Sequence, residues 1–252
     1  MTESIGFTPA WQTASLVSMP TLDLGELHVW WLPLELTEAQ QTAAKTLLSD
    51  IQRDRYLRRQ GADAQHAYLA GRYYLLTLLG AYTGIEAHAV QLSYTRLNKP
   101  YLSNRHNDLH FNFTDTRDIK RRHGVFAFSR QHAVGIDIEN TNRRNNFQAI
   151  AQSRFTAPEL EYVNSNGSFC VRRFLAIWTR KEAFGKATGK GINFKMNEQD
   201  LCSGDHPELL FFGPDDRAWR QYQLALSDTL IASVVHETHE PLAIKAFNAL
   251  EM

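Results

Sequence analysis

The strongest helical pattern falls late in the chain. Val171, Phe174, Leu175 and Trp178 recur at spacings of three and four, which predicts a helix from about Phe169 to Thr188. Carrying that register forward places Trp178, Glu182 and Lys186 on one face, one turn apart. Gly189 and Gly191 then stop the helix. Ahead of it, Ala133 to Asn140 alternates as a strand. Val134, Ile136 and Ile138 point to one side, Asp137 and Glu139 to the other. Further strands are predicted from Leu27, ended by Pro33, and over 90–95, 109–116, 123–129, 209–213, 222–226 and 230–235. Thr37 and Gln40 have the form of a capping box, as do Thr156 and Glu159, and a longer helix runs from Ala64 to about Tyr82. Residues 1–25 look irregular, and the tail from Glu237 shows no pattern. Helices and strands mix without a regular β-α-β alternation, which predicts an α+β fold.

Two carboxylates two residues apart on one strand face can hold a hard cation. A third from a neighbouring helix, Glu182, would complete the protein's share of a magnesium shell, with water and phosphate filling the rest. Taken singly, each motif has a plainer reading. Asp137 and Glu139 also suit an edge strand with its acids toward solvent. Glu182 and Lys186 also suit a solvated pair worth about 0.3–0.5 kcal/mol.

The two motifs in this order decide between the readings. Gly135-Ile136-Asp137-Ile138-Glu139 is followed by Phe174-Leu175-Ala176-Ile177-Trp178-Thr179-Arg180-Lys181-Glu182-Ala183-Phe184-Gly185-Lys186. The combination resembles the 4'-phosphopantetheinyl transferase superfamily, and the length resembles its long, surfactin-synthetase-activating type. The resemblance implies two similar α+β halves in a pseudo-twofold arrangement, over residues 1–133 and 134–252. Each half would be a small, mostly antiparallel sheet with helices, with the site in the cleft between them. It implies transfer of 4'-phosphopantetheine from coenzyme A to a serine of an apo acyl or peptidyl carrier protein, releasing adenosine 3',5'-bisphosphate. Mg2+, with Mn2+ as an alternative, would sit on Asp137, Glu139 and Glu182. Glu182 would be the general base, and Lys186 would serve the leaving phosphate. Arg72, Lys99, Pro100, Asn112, Thr114, Asp115 and Lys181 would contact the coenzyme, together with Lys186.

One position departs from the family pattern. Phe111-Asn112-Phe113-Thr114-Asp115-Thr116 has Asp115 where a histidine is usual, and the resemblance places that histidine on the coenzyme's 3'-phosphate. An ionised Asp115 would repel the same phosphate. Asp115 is also the best support for the competing reading, a relative that binds coenzyme A or a carrier protein without transfer.

Composition narrows the field further. The 252 residues are 43% hydrophobic and carry 27 basic against 27 acidic side chains, so a general nucleic-acid binder is not expected. Charge is nonetheless clustered, at Arg53, Arg55, Arg58 and Arg59, and again at Arg117, Lys120, Arg121, Arg122 and His123. Such clusters suit an acidic partner or a polyphosphate ligand. Two cysteines, Cys170 and Cys202, form no metal or disulfide pattern, and Cys170 is expected inside the helix as a small core residue. No membrane-length apolar run and no signal-peptide pattern appear, so a cytoplasmic, non-membrane protein is expected. A monomer follows from the resemblance, because the two halves already form the cleft.

Overall fold

The computed structural model describes residues 6–103, 108–117, 121–165, 167–191 and 195–251. Lys120 of the second basic cluster lies outside them. The fold is α+β, as expected. In chain order the elements are β1 (Trp11–Ser15), β2 (Glu26–Pro33), α1 (Glu38–Leu47), α2 (Asp50–Leu57), α3 (Ala62–Thr83), β3 (Leu92–Tyr94), β4 (Pro100–Leu102), β5 (Leu109–Arg117), β6 (Arg122–Arg130) and β7 (Val134–Asn140). They continue with α4 (Phe147–Arg154), α5 (Ala157–Asn164), α6 (Val171–Thr188), β8 (Glu208–Phe212), β9 (Ala218–Ala225), β10 (Leu230–Glu237) and β11 (Ala243–Glu251).

One sheet has the order β1-β11-β2-β6-β5, a second β7-β10-β9-β8, and β3 and β4 form a small hairpin. The sheets lie back to back. Leu27, Val29, Val125 and Ala127 of the first meet Val134, Ile136, Ala232 and Val234 of the second. On its other face the five-stranded sheet packs Trp30, Leu32, Phe126 and Phe128 against Leu75, Leu78 and Leu79 of α3. The four-stranded sheet packs Ile231 and Val235 against α6. Strands buried on both faces explain why β6 and β10 read as near-continuous apolar runs.

Both predicted capping boxes form, at Thr37 with Gln40 and at Thr156 with Glu159. Other expectations are corrected. Residues 11–15 are not irregular, and the patternless tail forms a strand over 243–251. The two pair in parallel with each other, and β11 also lies parallel to β2. The last strand thus joins the sheet that holds β1 and β2. Cys170 is not inside α6 but is its half-buried N-cap residue. β6 and β7, on either side of Gln131, lie in different sheets. The chain passes at Gln131 (φ 63°) from one sheet into the other.

Candidate active site

β5 is the outer strand of the first sheet and β7 the outer strand of the second, and these two edges meet. Side chains bridge them where a backbone ladder would otherwise run. The Asn112 side-chain oxygen accepts from the Ile136 amide at 3.0 Å. Thr114 Oγ1 reaches Asp137 Oδ1 at 3.4 Å.

α6 lies across the carboxylate face of β7. Gly135 makes this possible: a Cβ there would stand 2.1 Å from the Ala183 carbonyl oxygen and 2.4 Å from the Ala187 amide. The helix register then delivers Glu182 and Lys186 to Asp137. Lys186 Nζ donates to Asp137 Oδ1 at 2.6 Å, to Thr114 Oγ1 at 3.0 Å and to the Ile136 carbonyl at 3.1 Å. All three ammonium protons are directed at the β5–β7 seam.

The acids press on one another. Burial, opposed by the Lys186 charge, raises the Asp137 pKa. Burial and then the Asp137 charge raise that of Glu139, while Arg143 opposes. Burial and then the Asp137 charge raise that of Glu182, with Lys186 opposing and Glu139 adding to the rise. Glu139 is held by Arg143, whose Nη1 lies 2.9 Å from each carboxylate oxygen. The second Asp137 oxygen, Oδ2, is buried with no partner among the described residues. Among those residues no three acid, histidine or cysteine side chains already converge as a metal cluster. Lys186 and Arg143 occupy two of the three carboxylates. Mutually repelling acids with a spare buried oxygen nonetheless fit a hard cation that takes over from those two side chains.

The coenzyme-contact candidates divide. Lys99, Pro100, Asn112 and Lys186 line one cavity of about 170 Å³, with Phe113 and Gly185 completing its wall. A larger groove of about 520 Å³, at the corner between α1 and α2, holds none of them. Lys99 Nζ donates to the Ala187 carbonyl at 2.6 Å and to that of Val134 at 3.3 Å. It ties the end of α6 to the start of β7, and burial lowers its pKa to about 8. Lys181 is a correction. Its side chain is fully buried, pairs with Glu159 at 2.8 Å, and donates to the Met196 and Gln199 carbonyls. It packs on the α5 side of the helix and has no access to a ligand. Asp115 points away from Thr114, and its carboxylate pairs with Arg122 at 3.1 Å. Arg122 also bonds Asp63.

Arg72 sits in a second cluster that sequence reasoning saw only in part. Its guanidinium lies 5.2 Å from the Tyr68 ring, as does that of Arg59, and Arg55 lies 4.2 Å over Tyr94. Arg72 Nε and Nη1 and both tyrosine hydroxyls are buried without partners among the described residues. Unsatisfied buried donors beside three arginines suit an anion. The basic run at 53–59 was visible in the sequence. The two tyrosines that seat it carry no signal of their own.

Comparison with known proteins follows the same residues. A family model described as the 4'-phosphopantetheinyl transferase superfamily matches residues 133–235, the span from the start of β7 through α6 to β10. The chain is 31% identical over 219 residues to the 4'-phosphopantetheinyl transferase HetI of Nostoc sp., covering 85% of this chain and 89% of that protein. The chain belongs to the 4'-phosphopantetheinyl transferase superfamily. Two other members are similar at lower identity. A phosphopantetheinyl transferase of Thraustochytrium sp. is 26% identical over 227 residues, 83% of this chain and 76% of its own. The mouse L-aminoadipate-semialdehyde dehydrogenase-phosphopantetheinyl transferase is 28% identical over 182 residues, 68% of this chain and 57% of its own. As a member of this superfamily the chain is a 4'-phosphopantetheinyl transferase. Among the described residues no helix is long and apolar enough to cross a membrane.

Proposed function

We propose that this transferase moves 4'-phosphopantetheine from coenzyme A to a serine hydroxyl of an apo acyl or peptidyl carrier protein. Adenosine 3',5'-bisphosphate is the other product. The observation that carries this reading is the Lys186–Asp137 contact at the β5–β7 seam, with Asp137 Oδ2 buried beside it and without a partner among the described residues. Asp137, Glu139 and Glu182 are the residues that would hold Mg2+ or Mn2+. Such an ion, when bound, supplies neutralisation of the pyrophosphate charge.

The chain's own groups perform the remaining tasks. Glu182, with its pKa raised by burial and by Asp137, is the group placed to accept the serine proton. Lys186, one turn on, is the ammonium placed to serve the departing phosphate oxygen. Arg72, with Arg55 and Arg59 beside it, offers a basic site for the pyrophosphate of the coenzyme, an anion for the buried Arg72 donors that have no partner among the described residues. The basic 53–59 run also gives an acidic carrier a surface for electrostatic steering, which weakens with salt.

The test is direct. The purified protein is incubated with coenzyme A, magnesium and a panel of apo carrier proteins, and the carriers are weighed by intact mass spectrometry. A phosphopantetheine mass increment that EDTA blocks is expected. No increment on any carrier, with coenzyme A still bound by calorimetry, would replace this reading with ligand binding without transfer.

A further inference from the structure

Arg143 was the least conspicuous of the residues around the carboxylates. It follows β7 in a polar turn, where its amide donates to the Asn140 carbonyl at 3.1 Å. From there the side chain folds back over the end of the strand. A single nitrogen, Nη1, lies 2.9 Å from both oxygens of Glu139. That nitrogen therefore spans the edge between the two oxygens. The partners differ in burial, at 11% exposed for the Glu139 side chain and 52% for that of Arg143. Glu139 is fixed within the wall of the site, while the guanidinium approaches from solvent.

We infer that Arg143 is an exchangeable counter-ion, which holds Glu139 until a divalent cation takes that carboxylate and then turns to the pyrophosphate of the coenzyme. The inference rests on the cation site proposed above. A cation that took both Glu139 oxygens would displace Nη1, because the two would share one carboxylate edge. Arg143 reaches Glu139 from the surface, half solvent-exposed, with its Nε beside the Asn145 side-chain amide. At Lys186, Thr114 and the Ile136 carbonyl hold the ammonium as well as Asp137. A freed guanidinium beside a cation-bound pyrophosphate is well matched to it, because its planar fork pairs with phosphate oxygens. Arg143 thus opposes the metal in the free enzyme and favours the coenzyme in the metal-loaded one. By linkage, metal and coenzyme must then strengthen one another's binding through this residue.

The test measures binding with no turnover. Mn2+ affinity is measured by electron paramagnetic resonance without coenzyme, and coenzyme A affinity by calorimetry at saturating Mn2+. The proteins compared are the wild type, Arg143→Gln, Arg143→Lys and Glu139→Gln. Arg143→Gln is expected to bind Mn2+ about tenfold more tightly and coenzyme A about tenfold more weakly, the scale of one charge-assisted contact. Arg143→Lys should fall between it and the wild type. The opposite signs are the signature, since a merely structural arginine would weaken both. If Mn2+ binds the wild type, weakens in Glu139→Gln and is unchanged or weaker in Arg143→Gln, the exchange is wrong and the cation site stands. If the wild type binds no Mn2+, or Glu139→Gln binds it as the wild type does, the cation site itself fails and the exchange with it.

Discussion

Gly135 and Ala183 are in backbone contact: a Cβ on the glycine would lie 2.1 Å from the alanine carbonyl oxygen. No side chain fits there, and the neighbouring atoms are main chain of Ala183 and Ala187, which cannot swing aside. Gly135→Ala must therefore push α6 off β7, and Glu182 and Lys186 travel with the helix. Overpacking of this kind costs roughly 1–3 kcal/mol. The expected result is a fall in urea-unfolding stability of that order with transfer lost almost completely. Full activity in a Gly135→Ala protein would show that the approach of helix to strand is not what sets the site.

Lys181 and Lys186 test how far a helix register can be trusted. They are five residues apart, which is about 140° around an α-helix, so the two cannot serve one ligand. Lys186 faces β7 and Lys181 faces the buried Glu159, whose oxygens also accept from the Thr156 and Leu201 amides. Removing one member of a buried pair costs roughly 3–5 kcal/mol. Lys181→Met is expected to lose stability on that scale in urea titration, with the KM for coenzyme A of the folded fraction within about twofold of wild type. A KM raised about tenfold at unchanged stability would return Lys181 to the ligand site.

The same contrast shows what the sequence could and could not convey. β7 and α6 were legible because alternation and three-four spacing report which faces are buried, and both elements are. α2 was missed because Arg53, Asp54 and Arg55 leave it almost no apolar face. β11 was missed because its pairing with β2 is a contact across most of the chain, which no local pattern encodes. Asp137, Glu139, Glu182 and Lys186 could be placed on their elements from spacing. The meeting of β5 with β7, which gives Lys186 its Thr114 partner, could not. Arg143 lay in a loop without periodicity, so its hold on Glu139 had no sequence signal.

Asp115 carries a prediction about donor choice. Its carboxylate and that of Asp63 share Arg122, so the one guanidinium is already committed to two acids. A 3'-phosphate approaching this face finds no free charge from Arg122. If the proposed coenzyme A chemistry holds, the enzyme should discriminate poorly between coenzyme A and its 3'-dephospho form. Asp115→His adds a donor of the kind the resemblance places there, and a charge-assisted contact is worth roughly 1.5–3 kcal/mol. The ratio of kcat/KM values for the two donors should widen by about tenfold or more in that variant. A wild-type ratio already that large, unmoved by Asp115→His, would show that another group grips the 3'-phosphate.

Acid sensitivity should come from two buried histidines away from the site. His28 is fully buried among Tyr82, Trp30 and Glu26, and burial, partly offset by Glu26, lowers its pKa to about 4. His236 is fully buried against Tyr222, with neither ring nitrogen partnered among the described residues, and burial lowers its pKa to about 3. Both are neutral in the folded chain at pH 5, whereas unfolded histidine titrates near 6.5. The unfolded state then binds more protons, so stability is complete above about pH 6.5 and declines as pH falls toward the folded values. At pH 5 the loss is roughly 2 kcal/mol for each histidine. His236→Phe keeps the stack on Tyr222 and removes the titrating group. Urea titrations at pH 7 and pH 5 should show that variant losing about 2 kcal/mol less than wild type between the two conditions. An equal loss in both proteins would place the acid sensitivity on other groups.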